Sequence, residues 1–237
     1  MGPGPQERRS AGGFRVGRVG LGTLSPENLA NRLRLVVITD GCLAGERGLY
    51  AVVDLALRGG APAIQVRAKK AGAAELFELA SRLAASAHAS GALLVVNDRL
   101  DVALAVGADG VHLGPDDFPV ASARHAAPGG FLIGYSTDDP EAARRAVEDG
   151  ADYIGCGAVY PTENKADTGG TIGPEGLRNV VEAVDVPVVG IGGITPERAA
   201  DVAATGAAGC AVIGAVMAAQ DPEVAVRDLL AAFEGGA

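Results

Sequence analysis

Eight short apolar runs recur along this chain of 237 residues, each followed by a polar or glycine-rich turn and then a helix-like stretch. They are Leu35–Ile38, Ala63–Val66, Leu93–Val96, Gly110–Leu113, Phe131–Ile133, Tyr153–Ile154, Val186–Val189 and Cys210–Ile213. Strands that alternate with helices pair in parallel, because a hairpin cannot return the chain in the same direction. Eight such units predict a (β/α)8 TIM barrel, for which about 250 residues is typical. An open doubly wound sheet is the competing topology and normally uses fewer units. A barrel carries its active site at the C-terminal ends of the strands, so the residues leaving each run are the ones to read for chemistry.

The rhythm is unbroken, which favours one catalytic domain over residues 25–237, preceded by a mobile tail over 1–24. The stretch Met1–Gly22 is rich in Gly and Arg and lacks the continuous apolar segment of a signal peptide. Helical spacing predicts helices over Pro26–Leu33, Gly48–Leu57, Ala73–Ser86, Glu141–Glu148, Pro196–Thr205 and Pro222–Phe233, the first closing the base of the barrel. A Gly-Ala pair recurs at the helix-to-strand joint: Gly60-Ala61, Gly107-Ala108, Gly150-Ala151 and Gly206-Ala207. Glycine there accepts the left-handed conformation that ends a helix.

Composition narrows the function. A content of 48% hydrophobic residues supports a sizeable core, and no apolar stretch approaches the ~18 residues of a membrane span. The net charge of −9 argues against nucleic acid as a partner, and 4% aromatics with no Trp argue against a base-stacking platform. An anionic small molecule stays open, since it needs only a local cluster of cations and N–H groups. Cys42, Cys156 and Cys210 have neither metal-site nor disulfide-framework spacing, which points to a reducing, cytoplasmic setting. His88, His112 and His125 are too scattered for a zinc site. A homo-oligomer is compatible with this reading.

The candidate residues sit where the barrel predicts. Gln65, Arg67 and Lys69 lie two apart and point to one side of an extended segment at the end of strand two. A solvated surface turn would also account for Lys69. Asn97-Asp98 ends strand three, and Asp116-Asp117 follows strand four. Asp98 and Asp117 read two ways: as helix N-caps, or as oxygen ligands that meet over the mouth and hold Mg2+. His112 reads as a core histidine with a satisfied hydrogen bond. Ser136, at the end of strand five, either donates to a ligand or caps the next helix. Thr162, Asn164 and Lys165 open a glycine-rich connection from Ala158 to Pro174, which reads as a lid that suits an anion. Gly193 in the run Gly190–Thr195, and Ile213-Gly214, follow strands seven and eight, where barrels frequently bind phosphate through backbone N–H groups. Tight strand-to-helix packing is the other reason for glycines there.

Taken together, the stretches VVITD (Val36–Asp40), IQVRAK (Ile64–Lys69), VVNDRLDVALAVGADGVHLG (Val95–Gly114), GADYIGCGAVYPT (Gly150–Thr162) and VPVVGIGGIT (Val186–Thr195) resemble the thiamine-phosphate synthase family. The resemblance implies that a hydroxymethylpyrimidine diphosphate is joined to a thiazole phosphate, releasing pyrophosphate. It further implies that Gln65, Arg67, Lys69, Asn97 and Lys165 bind the diphosphate, and that Asp98 and Asp117 ligate Mg2+. Ser136 would assist at the diphosphate or pyrimidine, while Thr162, Gly193, Ile213 and Gly214 face the thiazole phosphate; Asn164 would add an amide donor there. Arg67, Lys69, Ser136 and Lys165 are the implied catalytic set. Three positions depart from the family pattern: Pro115 where Gln is common, Asn164 for Thr, and Gly214 for Ser. Those departures motivate a non-catalytic sensor of thiamine-related phosphates as an alternative. A thiazole tautomerase-like isomerase is the other alternative; that related branch uses a His after strand five, where this chain reads Tyr135-Ser136-Thr137-Asp138.

Overall fold

The computed structural model describes residues 25–162 and 170–236. The expected tail over 1–24 and the centre of the expected lid lie outside the described residues. Eight strands form a closed barrel: β1 (Leu35–Ile38), β2 (Ala63–Val66), β3 (Leu93–Asn97), β4 (Gly110–Leu113), β5 (Leu132–Ser136), β6 (Tyr153–Cys156), β7 (Val188–Ile191) and β8 (Gly209–Val212). Every neighbouring pair is parallel, and β8 closes onto β1 with Leu35 opposite Cys210. The barrel expected from the alternation is therefore the observed fold. Strand seven begins two residues later than the apolar run, because Pro187 has no N–H for the ladder and contributes only its carbonyl, which accepts from Ile154 at 3.0 Å. Strands five and six continue beyond the runs, through Gly134 and Gly155, to Ser136 and Cys156.

Alternation along each strand divides the core in two. Leu35, Val37, Ile64, Val66, Leu94, Val96, Val111 and Ile154 face the surrounding helices, while Val36, Ile38, Ala63, Leu93, Leu132, Tyr153, Val189 and Ala211 fill the lumen. Burying a Val, Leu or Ile side chain contributes about 1.5–3 kcal/mol, so both layers fix the register. The helices are α1 (Pro26–Leu33), α2 (Gly41–Ala44), α3 (Leu49–Arg58), α4 (Ala73–Ala89), α5 (Leu100–Val106), α6 (Val120–Ala126), α7 (Pro140–Glu148), α8 (Gly173–Val181), α9 (Pro196–Ala203), α10 (Gly214–Met217) and α11 (Pro222–Glu234). Leu29 and Leu33 of α1 join the lumen cluster, so α1 plugs the base as expected.

Starts and stops follow local chemistry. Ser25, Asp40, Asp139 and Asp221 cap α1, α2, α7 and α11 through their side chains. The four glycines of the recurring Gly-Ala joint all have φ between 70° and 105°, the left-handed geometry their position requires. No helix among the described residues is long and apolar enough to cross a membrane.

Candidate active site

A cavity of about 600 Å³ opens at the C-terminal ends of the strands. Gln65, Arg67, Lys69, Asn97, Asp98, Asp117, Ser136, Thr162, Gly193, Ile213 and Gly214 all line it. The fold thus brings together eleven side chains or backbone segments chosen from sequence. Asn164 and Lys165 lie outside the described residues.

The β2 side is set by a residue the sequence did not flag. Thr39 is fully buried just beyond β1. Its Oγ1 accepts from the Arg67 N–H at 2.9 Å and donates to the Arg67 carbonyl at 3.2 Å. Both backbone groups of Arg67 are therefore held, which fixes where the side chain leaves the strand. Lys69 follows on the exposed rim.

Beside this cationic edge, at the exits of the next two strands, stand two carboxylates. Asp98 is the single described non-glycine residue with positive φ, at 64°. Its N–H donates to the His112 carbonyl at 2.8 Å, and the next N–H, of Arg99, turns back onto the Asn97 carbonyl at 2.7 Å. Asp is among the few residue types that tolerate this conformation, which costs of order 1–3 kcal/mol unless the surroundings enforce it. Asp117 accepts from the Gly114 N–H at 2.7 Å and closes a tight turn after β4. Neither is a helix cap: the cap positions of α5 and α6 are Arg99 and Pro119, without side-chain cap bonds. Of the two readings of these aspartates, capping is excluded.

Burial and the neighbouring Asp117 carboxyl, which makes a hydrogen bond with it, push the Asp98 pKa up to about 6 against the opposing pull of Lys69 and Arg67. Two carboxylates this close cannot both ionise without a compensating positive charge. They supply oxygen donors only, the set that suits a hard divalent cation bound also by substrate phosphates. No cluster of three or more His, Cys, Asp or Glu suited to a metal occurs among the described residues, so the fit is to a cation held by two carboxylates rather than an all-protein cage.

The cavity floor holds a second unit. His112 is nine-tenths buried; its Nδ1 lies 3.0 Å from the Tyr153 hydroxyl and its Nε2 2.8 Å from Ser136 Oγ. Burial is the main cause that pushes the Tyr153 phenol well above its ordinary value, keeping it neutral. Ser136 is not a cap, since Asp139 caps α7. His112 is a satisfied core histidine, as its sequence context suggested, but it also lines the cavity. Gly134 and Gly155 make the room: a Cβ at Gly134 would lie 2.4 Å from His112 Nδ1, and one at Gly155 2.9 Å from His112 Cε1. Two glycines on adjacent strands facing a histidine were the available signal, which sequence reading passed over.

On the far side, Gly192 and Gly193 have φ of 103° and 63°. A Cβ on either would approach the backbone of Ala158 or Pro161 to 2.8 Å or closer. Tight packing therefore requires these glycines, and the same packing lays their backbone along the cavity wall. Arg47 donates to the carbonyls of Met217, Ala219 and Gln220, anchoring the end of α10 and with it the Ile213–Gly214 wall.

Residues 35–216 match the family model described as thiamine monophosphate synthase. The chain belongs to this family. Among relatives, the thiamine-phosphate synthase of Pyrococcus furiosus is 48% identical over 202 residues, covering 85% of this chain and 95% of that protein. That of Archaeoglobus fulgidus is 50% identical over 179 residues, covering 76% and 84%. The Symbiobacterium thermophilum thiamine biosynthesis bifunctional protein is 48% identical over 209 residues, and the aligned region spans 88% of this chain but 42% of that protein. Among solved structures, a thiamine phosphate pyrophosphorylase from Pyrococcus furiosus superposes with a TM-score of 0.80 at 46% identity, covering 88% of this chain and 98% of that one. The eight-stranded barrel agrees with that solved structure.

Proposed function

We propose that this chain is a thiamine-phosphate synthase that condenses 4-amino-2-methyl-5-hydroxymethylpyrimidine diphosphate with a thiazole phosphate and releases pyrophosphate, with Mg2+ as cofactor. The observation that carries this reading is the Asp98–Asp117 carboxylate pair standing beside Arg67 and Lys69 on one arc of the cavity. A glycine-rich wall on the other arc supports a second, phosphate-bearing substrate.

When bound by Asp98, Asp117 and the substrate, Mg2+ would neutralise charge on the departing diphosphate. Arg67 and Lys69 add fixed positive charge at the same edge, so little reorganisation is needed as the leaving group gains charge. The carbon–oxygen bond to the diphosphate breaks and its electron pair leaves with pyrophosphate. The thiazole nitrogen then gives its lone pair to the exposed methylene carbon, forming the carbon–nitrogen bond. Gln65, Asn97 and the Tyr153–His112–Ser136 group supply polar contacts on the floor, where the pyrimidine would sit. No general base is required, and positioning of the two substrates supplies much of the rate.

The end of β5 and the turn after it read Tyr135-Ser136-Thr137-Asp138, without a His, and nothing among the described cavity residues favours the tautomerase or sensor alternatives. The test is direct: purified protein with both phosphorylated precursors and Mg2+ forms thiamine phosphate and pyrophosphate in equal amounts. Absence of both products with fresh substrates would reject the reading.

A further inference from the structure

We propose that Arg198 is a substrate-binding residue that selects the phosphorylated form of the second substrate. The proposal rests on the synthase reading and assigns a residue that neither the sequence motifs nor the family resemblance singled out.

Arg198 lies in the first turn of α9, which opens at Pro196. A cation there is opposed by the positive end of the helix dipole, so its position is not explained by helix stability. Its head is nonetheless held from two sides. One guanidinium nitrogen donates to the Gly193 carbonyl at 2.7 Å, and the Arg198 Cζ lies 4.7 Å from the centroid of the Tyr160 ring. Like Arg32, Arg47, Arg67, Arg82 and Arg178, Arg198 reaches no carboxylate within ion-pair distance among the described residues. Glu197, a carboxylate that feels its charge, is its immediate neighbour on the same helix.

Arg198 lines the cavity together with Gly193, Thr195, Ile213 and Gly214, across the lumen from Arg67 and Lys69. A guanidinium has five donors in a rigid fork, and one is spent on Gly193. Stacking on a ring leaves the edge of the fork available for a planar or tetrahedral oxyanion. An anion there would also relieve the unfavourable meeting of Arg198 with the helix terminus. The two cationic edges then divide the work: β2 takes the diphosphate, and the β7–α9 turn takes the phosphomonoester.

Arg198→Gln tests this, because glutamine can still donate to the Gly193 carbonyl while losing the charge. KM is measured for each substrate, together with kcat/KM for the dephosphorylated thiazole alcohol. A lost charged hydrogen bond predicts a rise of about 10- to 100-fold in KM for the thiazole phosphate. KM for the pyrimidine diphosphate stays within about twofold, and kcat/KM for the alcohol is unchanged. Equal effects on both substrates, or none on either, overturn the proposal. Titration with inorganic phosphate, followed calorimetrically in the wild type and in Arg198→Gln, separates this question from the synthase reading. If no product forms with the wild type, that reading fails while weaker phosphate binding by the variant still supports Arg198 as the anion site; identical binding by both proteins refutes it.

Discussion

Asp98 at the end of β3 and Asp117 in the turn after β4 bring their carboxyl groups into hydrogen-bonding contact, and burial together with this contact raises the Asp98 pKa to about 6. The pair is electrostatically uncomfortable without a cation. The folded-state pKa of Asp98 lies above the usual carboxylate value, so between about pH 4 and 6 the native state binds more protons at this residue than the unfolded chain does. Stability is therefore lost at Asp98 as pH rises through that window.

Asp117→Asn should accordingly separate stability from activity. In EDTA at pH 7 the variant should melt roughly 2–4 °C higher than the wild type, as expected for about 1 kcal/mol of relieved repulsion in a domain of this size. Its turnover should fall by at least about 100-fold. Thermal melts and steady-state kinetics check both; a lower melting temperature with intact activity would refute the pairing.

Ser136 and His112 should behave as one unit. Ser136→Ala and His112→Asn each break the 2.8 Å contact between them. Groups in one hydrogen-bonded set show coupling of about 0.5–3 kcal/mol. A double-mutant cycle in kcat/KM should show the double variant scarcely worse than the poorer single one. Additive losses would mean that the two residues act separately.

Gly134→Ala places a Cβ 2.2 Å from Tyr153 Cζ and 2.4 Å from His112 Nδ1. Overpacking of this kind costs about 1–3 kcal/mol, and here it also displaces the floor of the cavity. Urea denaturation should register the loss, with turnover falling in parallel. Gly129→Ala meets nothing within 4 Å and should stay within about 0.5 kcal/mol of the wild type.

Away from the cavity, His88 Nε2 lies 3.0 Å from Asp109 Oδ2, and that hydrogen bond is the main cause holding the His88 pKa above its ordinary 6.5. Its stabilisation is complete below the unfolded value and is lost as pH rises through the elevated folded one. Denaturation curves from about pH 6 to pH 9 should show the wild type losing stability relative to His88→Gln. Parallel profiles would contradict the pairing.

Much of this was legible in the primary structure because strand exits are where a barrel displays chemistry. Gln65, Arg67, Asn97 and Asp98 stand at the ends of well-marked apolar runs, and all four line the cavity. What escaped has physical reasons. A parallel strand is buried on both faces, so an apolar run does not tell lumen from helix side. His112 therefore looked like ordinary core, although Gly134 and Gly155 clear its place. The capping context of Asp98 and Asp117 was misleading, since cap chemistry and ligand chemistry use the same carboxylate and only the folded cap positions, Arg99 and Pro119, tell them apart. Thr39 acts through hydrogen bonds to a neighbouring strand's backbone, which no local pattern encodes. Arg198 carries no local sequence signal, because its neighbours Tyr160 and Gly193 come from elsewhere in the chain or from the preceding turn.

The most direct measurement is the time course of thiamine phosphate and pyrophosphate formation from both precursors, in Mg2+ and in EDTA, for the wild type and for Asp98→Asn. Equal yields of the two products by the wild type in Mg2+, collapsing in EDTA and in the variant, are the predicted result. Product formed at the same rate in EDTA, or an undiminished rate in Asp98→Asn, would contradict the role assigned to the carboxylate pair.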